Sequence, residues 1–363
     1  MGANASRLTV SGSPLLRPPR GYVIAQPGRP QPPTMSTADL VTRMLAGDRS
    51  ALAKLMTLVE NQAPDTASVM SLIHDRCGRA YTLGITGPPG AGKSTLVDRL
   101  VGILRQRGHS VGIVAVDPSS PFSGGAVLGD RIRMQSHFLD EQVFIRSLST
   151  RGSHGGLARA TRKIALLLDA FGKEFIIVET VGVGQTELDV MRVADTTVVV
   201  LVPEAGDTVQ TMKAGLLEIA DIFVVNKADR EGAMRIRNEL EAMLQMRPAT
   251  VWPVPVLLTR ATAGDGVEVL LDTVLRHREH RQATGAGAAH SAAARQEEFV
   301  AALREELGRR IEASLENGRF GALLEQVGCG EVDPYSAALQ IIESDDSLRV
   351  LLSRRADSVT GRS

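Results

Sequence analysis

From Ala38 to about Cys77 the apolar positions of the chain recur at helical spacing. Leu40, Met44, Leu52, Leu55, Met56 and Val59 step by threes and fours until Pro64-Asp65 interrupts the run. The texture then changes. Short β-branched runs, "TLGITG", "VGIVAVD", "VFIRSL", "FIIVET", "TTVVVLV", "DIFVVNKAD" and "PVLLT", alternate with helix-length intervals. Strands buried on both faces read as continuous apolar runs of this kind, and the intervals supply crossovers. The pattern predicts an α/β domain with a doubly wound, mainly parallel sheet and helices on both faces.

After about Arg281 comes "QATGAGAAHSAAA", which reads as a low-complexity linker. Beyond it Phe299, Leu303, Leu307, Ile311 and Leu315 repeat every four residues, one stripe of a helix. A second helix is expected from "VDPYSAALQII", with Asp333 as N-cap and Pro334 at the first helical position. Two such helices cannot cover two apolar faces by themselves, so this C-terminal arm is expected to pack on the body or on a second copy of the chain. The organisation predicted is a tail over 1–34, a helical segment over 35–78, the α/β domain over 79–281, a linker over 282–295 and the arm over 296–363.

Composition narrows the function by exclusion. Lys plus Arg equals Asp plus Glu at 41 each and aromatic residues make up 3%, which argues against nucleic acid or an anionic membrane as partner. Cys77 and Cys329 are the only cysteines and lack CxxC spacing, so free thiols in the cytoplasm are expected. No apolar run approaches the roughly 20 residues of a membrane span. The first 34 residues are rich in Pro, Gly and Arg and contain no acid. They read as a disordered tail or as an overlong start with Met35 the initiator; the short myristoylation (Gly2, Ser6) and glycosylation (Asn4) patterns match often by chance.

The chemistry begins at "GPPGAGKST". Gly87, Gly92, Lys93 and Ser94 fit GxxxxGK[ST] between a strand and a helix, the setting a phosphate-binding loop requires. Pro88 and Pro89 occupy the outer arc, where no N–H is needed, while amides from Gly90, Ala91 and Gly92 into the helix start at Thr95 cradle the anion. Lys93 is expected to reach the β- and γ-phosphates, with the Ser94 hydroxyl a Mg2+ ligand. At the end of a later strand "VVNKAD" sets Asn226, Lys227 and Asp229. An Asp carboxylate accepts from guanine N1–H and its exocyclic amine, whereas adenine offers neither donor there, so the ligand read is GTP, with GDP the product. Glu179 ends "FIIVET" beside the phosphates and reads as a metal-water ligand ahead of the Gly182 switch. Asp117 and Asp130 read as further acids at the metal or as loop caps. Gln185 lies three residues past Gly182, and no role is assigned to it.

Taken together, "GITGPPGAGKST", "VAVDPSSPFSGGAVLGDRIRM", "ETVGVGQTE", "LEIADIFVVNKAD" and "DPYSAA" resemble the MeaB-type GTPases, which include ArgK and the methylmalonic aciduria type A protein. The resemblance runs from about Ala38 to Leu352. It implies a P-loop NTPase of the SIMIBI class with N-terminal helices and a C-terminal helical dimerisation arm, hence a homodimer. It also implies a chaperone that gates cofactor loading and protection of an adenosylcobalamin-dependent acyl-CoA mutase, methylmalonyl-CoA mutase or a close relative. Lys93, Asp117, Asp130 and Glu179 stand where the family's phosphate and magnesium residues stand. Lys213, in "PEAGDTVQTMKAG", stands where a lysine is implicated in activated hydrolysis. Family members often carry Ser-Ala in the loop behind the guanine; here "LLTRATAGDG" offers Arg260, Ala261 and Thr262, and the Ala261 amide is expected to meet the guanine oxygen. "SPFSGG", "GDRIRM" and "RSLSTRG" look closer to the G-domain fused to isobutyryl-CoA mutases. Two rivals are a nickel metallochaperone GTPase, which would need a Cys/His cluster, and an ATP-dependent kinase of amino-acid transport, which the guanine motif opposes.

Overall fold

The structure, a computed structural model, describes residues 35–117, 135–149, 156–180, 182, 188–189, 191–203, 215–248, 251–316, 318 and 320–352. The 1–34 tail lies outside the described residues. The N-terminal helical pattern resolves into three helices, α1 (Thr37–Leu45), α2 (Arg49–Glu60) and α3 (Thr66–Ile73). Ser36 and Asp48 cap the first two by accepting from amides of the first turn.

All seven apolar runs form strands: β1 (Tyr81–Thr86), β2 (Val111–Asp117), β3 (Val143–Ser149), β4 (Phe175–Thr180), β5 (Thr196–Leu201), β6 (Ile222–Val225) and β7 (Val256–Leu258). They pair in parallel in the order β3-β2-β4-β1-β5-β6-β7. β1 therefore has β4 on one side and β5 on the other, and the crevice beyond its carboxyl end is where a doubly wound sheet takes a ligand.

Alternate residues of each strand serve different layers. Leu83, Ile85, Ile113, Ile177, Val198 and Val224 pack with α4 (Lys93–Gln106) and α8 (Val267–Ala283) on one face. The opposite face divides in two. Val114, Val116, Ile176 and Val178 meet α1–α3 and α5 (Gly156–Ala170). Val199, Leu201, Phe223 and Val225 meet the short α6 (Leu216–Ile219) and α7 (Ala233–Gln245). Burying an aliphatic side chain of this size contributes about 1.5–3 kcal/mol relative to leaving it in water, so period-2 placement inside an all-apolar run specifies both faces at once.

The predicted linker is not one. α9 (Ala286–Glu316) runs through it, and only Thr284 and Gly285 separate it from α8. Alanine is the strongest helix former, and Ala294 is buried, so the low-complexity stretch has the composition a helix favours. The arm also holds three further helices where one was predicted: α10 (Gly321–Gly328), α11 (Pro334–Glu343) and α12 (Asp345–Leu352). Asp333 caps α11 as expected, accepting from the Tyr335 and Ser336 amides, with Pro334 opening the helix. α12 folds back on α9, where Ser314 and Arg310 donate to the Leu351 and Leu352 carbonyls at 2.9 and 2.7 Å. Arg162 and Lys163 of α5 pair with Glu298 and Glu305 of α9.

Candidate nucleotide site

The loop between β1 and α4 is shaped by glycine where side chains have no room. Gly92 adopts φ +86°, and a Cβ there would lie 2.4 Å from the Asn226 amide nitrogen; at Gly87 it would lie 2.0 Å from the Val200 carbonyl oxygen. The loop can thus lie directly on the ends of β5 and β6. The prolines contribute acceptors as well as stiffness. The Pro88 carbonyl accepts from the Ala91 amide at 3.2 Å and from Lys93 Nζ at 3.0 Å, and Nζ also donates to the Gly87 carbonyl at 2.7 Å. Lys93, 5% exposed, is held beneath the loop at the helix N-terminus, where the backbone amides and the helix dipole favour an anion.

The second residue of α4, Ser94, donates to Glu179 Oε1 at 2.6 Å, and both side chains are buried. Glu179 sits one residue before the end of β4, in register with Ile85 of β1 and Ala115 of β2. A hydroxyl and a carboxylate in contact beside an anion-binding helix terminus form a hard-oxygen donor set of the sort Mg2+ takes, so these residues fit that ion. Two buried hydroxyls that sequence reasoning passed over lie next to them. Thr180 Oγ1 donates to Thr86 Oγ1 at 2.8 Å, and Thr86 Oγ1 donates to the Gly182 carbonyl at 3.0 Å. In a single sequence both residues register only as β-branched strand formers.

Asn226 ties the phosphate loop to the base loop. Its Nδ2 donates to the Ala91 carbonyl at 2.8 Å, while its Oδ1 accepts from Thr259 Oγ1 at 3.0 Å and from the Ala261 amide at 3.1 Å. Lys227 follows in the left-handed region with φ +56°, and Asp229 stands exposed at the turn. The Ala261 N–H, expected to meet the guanine oxygen, donates here to Asn226 Oδ1. Arg260 turns away to Asp265, across an antiparallel bridge between the same two residues. Arg99 of α4, unnoticed in the sequence, donates to the Ala261 and Thr262 carbonyls at 3.2 and 2.8 Å.

Lys93 and Ser94 of α4, Glu179 of β4, Asn226 after β6 and Ala261 after β7 are thus drawn into one crevice from four separate parts of the chain. Asp117 ends β2, but its side chain lies outside the described residues, as do Asp130, Gln185 and Lys213.

A parallel sheet with a glycine-bound phosphate loop, a lysine beneath it and an Asn-Lys-x-Asp turn beside it defines a P-loop GTPase. Residues 52–316 match the family described as Methylmalonyl Co-A mutase-associated GTPase MeaB. The chain belongs to that family. It is 48% identical over 309 residues to a Pyrococcus abyssi protein named as a GTPase, covering 84% of this chain and 95% of the relative. It is 36% identical over 257 residues to GTPase ArgK of Escherichia coli, covering 68% and 78%. A solved structure titled as a LAO/AO transport system kinase superposes with TM-score 0.61 at 28% identity, covering 85% of this chain and 96% of that one.

Proposed function

We propose that this protein is a GTP-hydrolysing chaperone that gates cofactor loading and protection of an adenosylcobalamin-dependent acyl-CoA mutase, methylmalonyl-CoA mutase or a close relative. The observation that carries the nucleotide reading is the Asn226 side chain. It bonds the phosphate loop and the base loop simultaneously, so one ligand spanning both is what the crevice fits. Asp229 supplies the acceptor for guanine N1–H and the exocyclic amine. Gly87 to Thr95 wrap the phosphates, and Lys93 leaves its two carbonyl partners to meet the β- and γ-phosphate oxygens.

Ser94 and Glu179 would hold Mg2+, Ser94 directly and Glu179 through water, joined by Asp117 and Asp130. That ion neutralises charge on the phosphates as it develops in the transition state. Before the metal binds, the Ser94–Glu179 hydrogen bond keeps both groups in place. Because valine and not glutamine follows Gly182 in the sequence, hydrolysis by the chain alone is expected to be slow, and the client is expected to supply the missing order through the segment that includes Lys213.

Membership of a family named for its association with methylmalonyl-CoA mutase supports the choice of client. The arm supports a homodimer: Phe299, Leu303, Ile311, Leu339 and Ile342 are 68%, 49%, 38%, 53% and 57% exposed in the single chain. Among the described residues no helix is long and apolar enough to cross a membrane. The name of the transport-kinase neighbour raises an ATP-dependent alternative, and nucleotide competition separates the two.

The test is GTP turnover with and without a candidate mutase, together with its retention on the immobilised protein. At least about tenfold stimulation is expected, which needs only about 1.4 kcal/mol of added transition-state stabilisation. ATP turnover that GTP does not inhibit would refute the nucleotide reading. Failure of every cobalamin-dependent acyl-CoA mutase to bind would refute the client.

A further inference from the structure

A second cavity lies away from the nucleotide crevice. It has a volume of about 610 Å³ and is bordered by α3, α5, the stretch before β5 and α9. None of its lining residues belongs to the phosphate loop or to the loops after β6 and β7. Sites for small molecules commonly measure about 300–1,000 Å³ and are mostly apolar, with a few placed polar groups. Met70 of α3, Ala158 of α5, Val193 and Ala301 of α9 give this one an apolar wall.

Its polar side is unevenly satisfied. On α9, Glu298 and Glu305 are taken by Arg162 and Lys163 of α5, and Glu306 by Arg309 and Arg310. Asp189 stands 4.0 Å from Arg192. Arg304 and Glu297 are exposed and offset one another in charge. That leaves Arg159 of α5. Its Nε is buried without an acceptor, and among the described residues no carboxylate pairs with its guanidinium. Thr66, at the first position of α3 and 4% exposed, likewise has a buried hydroxyl with no partner. Buried donors in folded proteins are met as a rule, so two unmet ones on residues lining a single cavity point to a ligand that supplies an acceptor.

We infer that this cavity is a second binding site, and that its ligand is a small organic monoanion, a carboxylate on an aliphatic chain. The planar guanidinium fork of Arg159 matches a carboxylate, and the Thr66 hydroxyl offers a further donor at the same cavity. One uncompensated cation matches a single negative charge, whereas a phosphate monoester brings about 1.5 to 2 at pH 7. The apolar wall takes the chain. The site stands independently of the guanine and mutase readings above. Because its walls belong to both the α/β body and α9, a bound ligand bridges the two and steadies the arm against α5.

Decanoate is the probe. Titration calorimetry of the full-length protein, below the concentration at which decanoate forms micelles, reads affinity and stoichiometry, with decylammonium and inorganic phosphate as controls. One decanoate per chain is expected, with a dissociation constant below about 1 mM. Octanoate should bind about 15-fold more weakly, at about fourfold for each buried methylene. Arg159→Gln keeps the size of the side chain and loses its charge, and should weaken decanoate at least about tenfold. Thr66→Val should weaken it about three- to fivefold, the scale of one neutral hydrogen bond. Ala301→Phe fills the apolar wall and should abolish binding. Decanoate should also slow hydrogen exchange along α9 in wild type and not in Arg159→Gln.

Decylammonium binding as tightly as decanoate, uptake of several decanoates per chain, or no binding below about 1 mM overturns the inference. So does an unchanged affinity in Arg159→Gln, or binding that leaves exchange along α9 unaltered, since each puts the ligand elsewhere. Phosphate bound in preference to decanoate overturns the ligand class. Melting and GTP turnover equal to wild type in Arg159→Gln and Thr66→Val exclude a folding defect, and these two variants carry the test if Ala301→Phe displaces the arm.

Discussion

At the carboxyl ends of β1, β4 and β6 the buried polar groups include Lys93, Ser94, Glu179 and Asn226. At the amino ends of the same sheet lies a second buried set. Thr196 Oγ1 bonds the Tyr81 hydroxyl and, at 2.7 Å, His277 Nδ1. His277 Nε2 stands 3.6 Å from Asp221. Asp221 in turn accepts from the Thr197 amide, and the Trp252 indole donates to its backbone carbonyl while its ring lies tilted against His277. Lys93, Ser94, Glu179 and Asn226 at one end and Tyr81, Thr196 and His277 at the other are all buried, yet the two sets differ in what closes them. The amino-end network links side chain to side chain and ends on strand amides. The carboxyl-end groups are anchored on loop carbonyls and a metal-type oxygen pair around a helix N-terminus, an arrangement that favours an anion. Buried polarity that closes on itself reads as stability; buried polarity arranged around a charged end reads as a site.

The sharpest break of this contrast is Lys93→Ala. It should lower GTP turnover by about 10²–10³, the scale for removing one preorganised charge from a transition state. Glu179→Gln should lower kcat by about 10² with GTP affinity kept within a few-fold, because the metal side acts on charge that develops late. Steady-state turnover and equilibrium binding check both, and an unaltered kcat removes the residue concerned from the chemistry.

Thr196→Val tests the other end. It leaves the Tyr81 hydroxyl and His277 Nδ1 buried without their shared partner, at a cost of about 1–3 kcal/mol in unfolding free energy. GTP turnover should be unaffected, and denaturant titration beside the assay decides. A kinetic effect as large as that of Glu179→Gln would erase the distinction between the ends.

The titrating groups of the amino end sharpen it further. Burial pushes the Asp221 carboxyl up to about 6, with Asp195 adding to the effect and the Thr197 amide and Arg281 opposing it. Burial, with Arg281 and His280, pushes His277 down to about 4. The folded state therefore holds a proton on Asp221 that the unfolded chain has released, so this term loses stability as pH rises to 6. It also refuses a proton on His277 that the unfolded chain accepts, so that term loses stability as pH falls from 6.5 to 4. The two slopes oppose. His277→Gln leaves the Asp221 term alone, and stability relative to wild type should then rise as pH falls from 6 to 4. Denaturation midpoints across that window check the sign.

The smallest effect is expected at Arg260→Ala. It breaks an ion pair whose side chains are 48% and 52% exposed, worth about 0–1 kcal/mol. The bridge between the backbones of Arg260 and Asp265 remains.

Much of this molecule is local, and the sequence by itself determined it. Seven apolar runs became seven strands because a strand buried on both faces needs no partner to declare itself. The phosphate loop and the Asn-Lys-x-Asp turn were legible because each does its chemistry within a few consecutive residues. Asp333 and Pro334 announced a helix start because capping is a matter of neighbours. What only the tertiary structure decided is where groups distant in the chain meet. Asn226 on Ala91, Thr86 on Gly182 and Arg99 on Ala261 join residues 135, 96 and 162 positions apart, and no spacing rule reaches that far. The same limit explains the error over 282–295: the alanine-rich "linker" was unstructured only until a neighbouring helix gave its faces something to pack on.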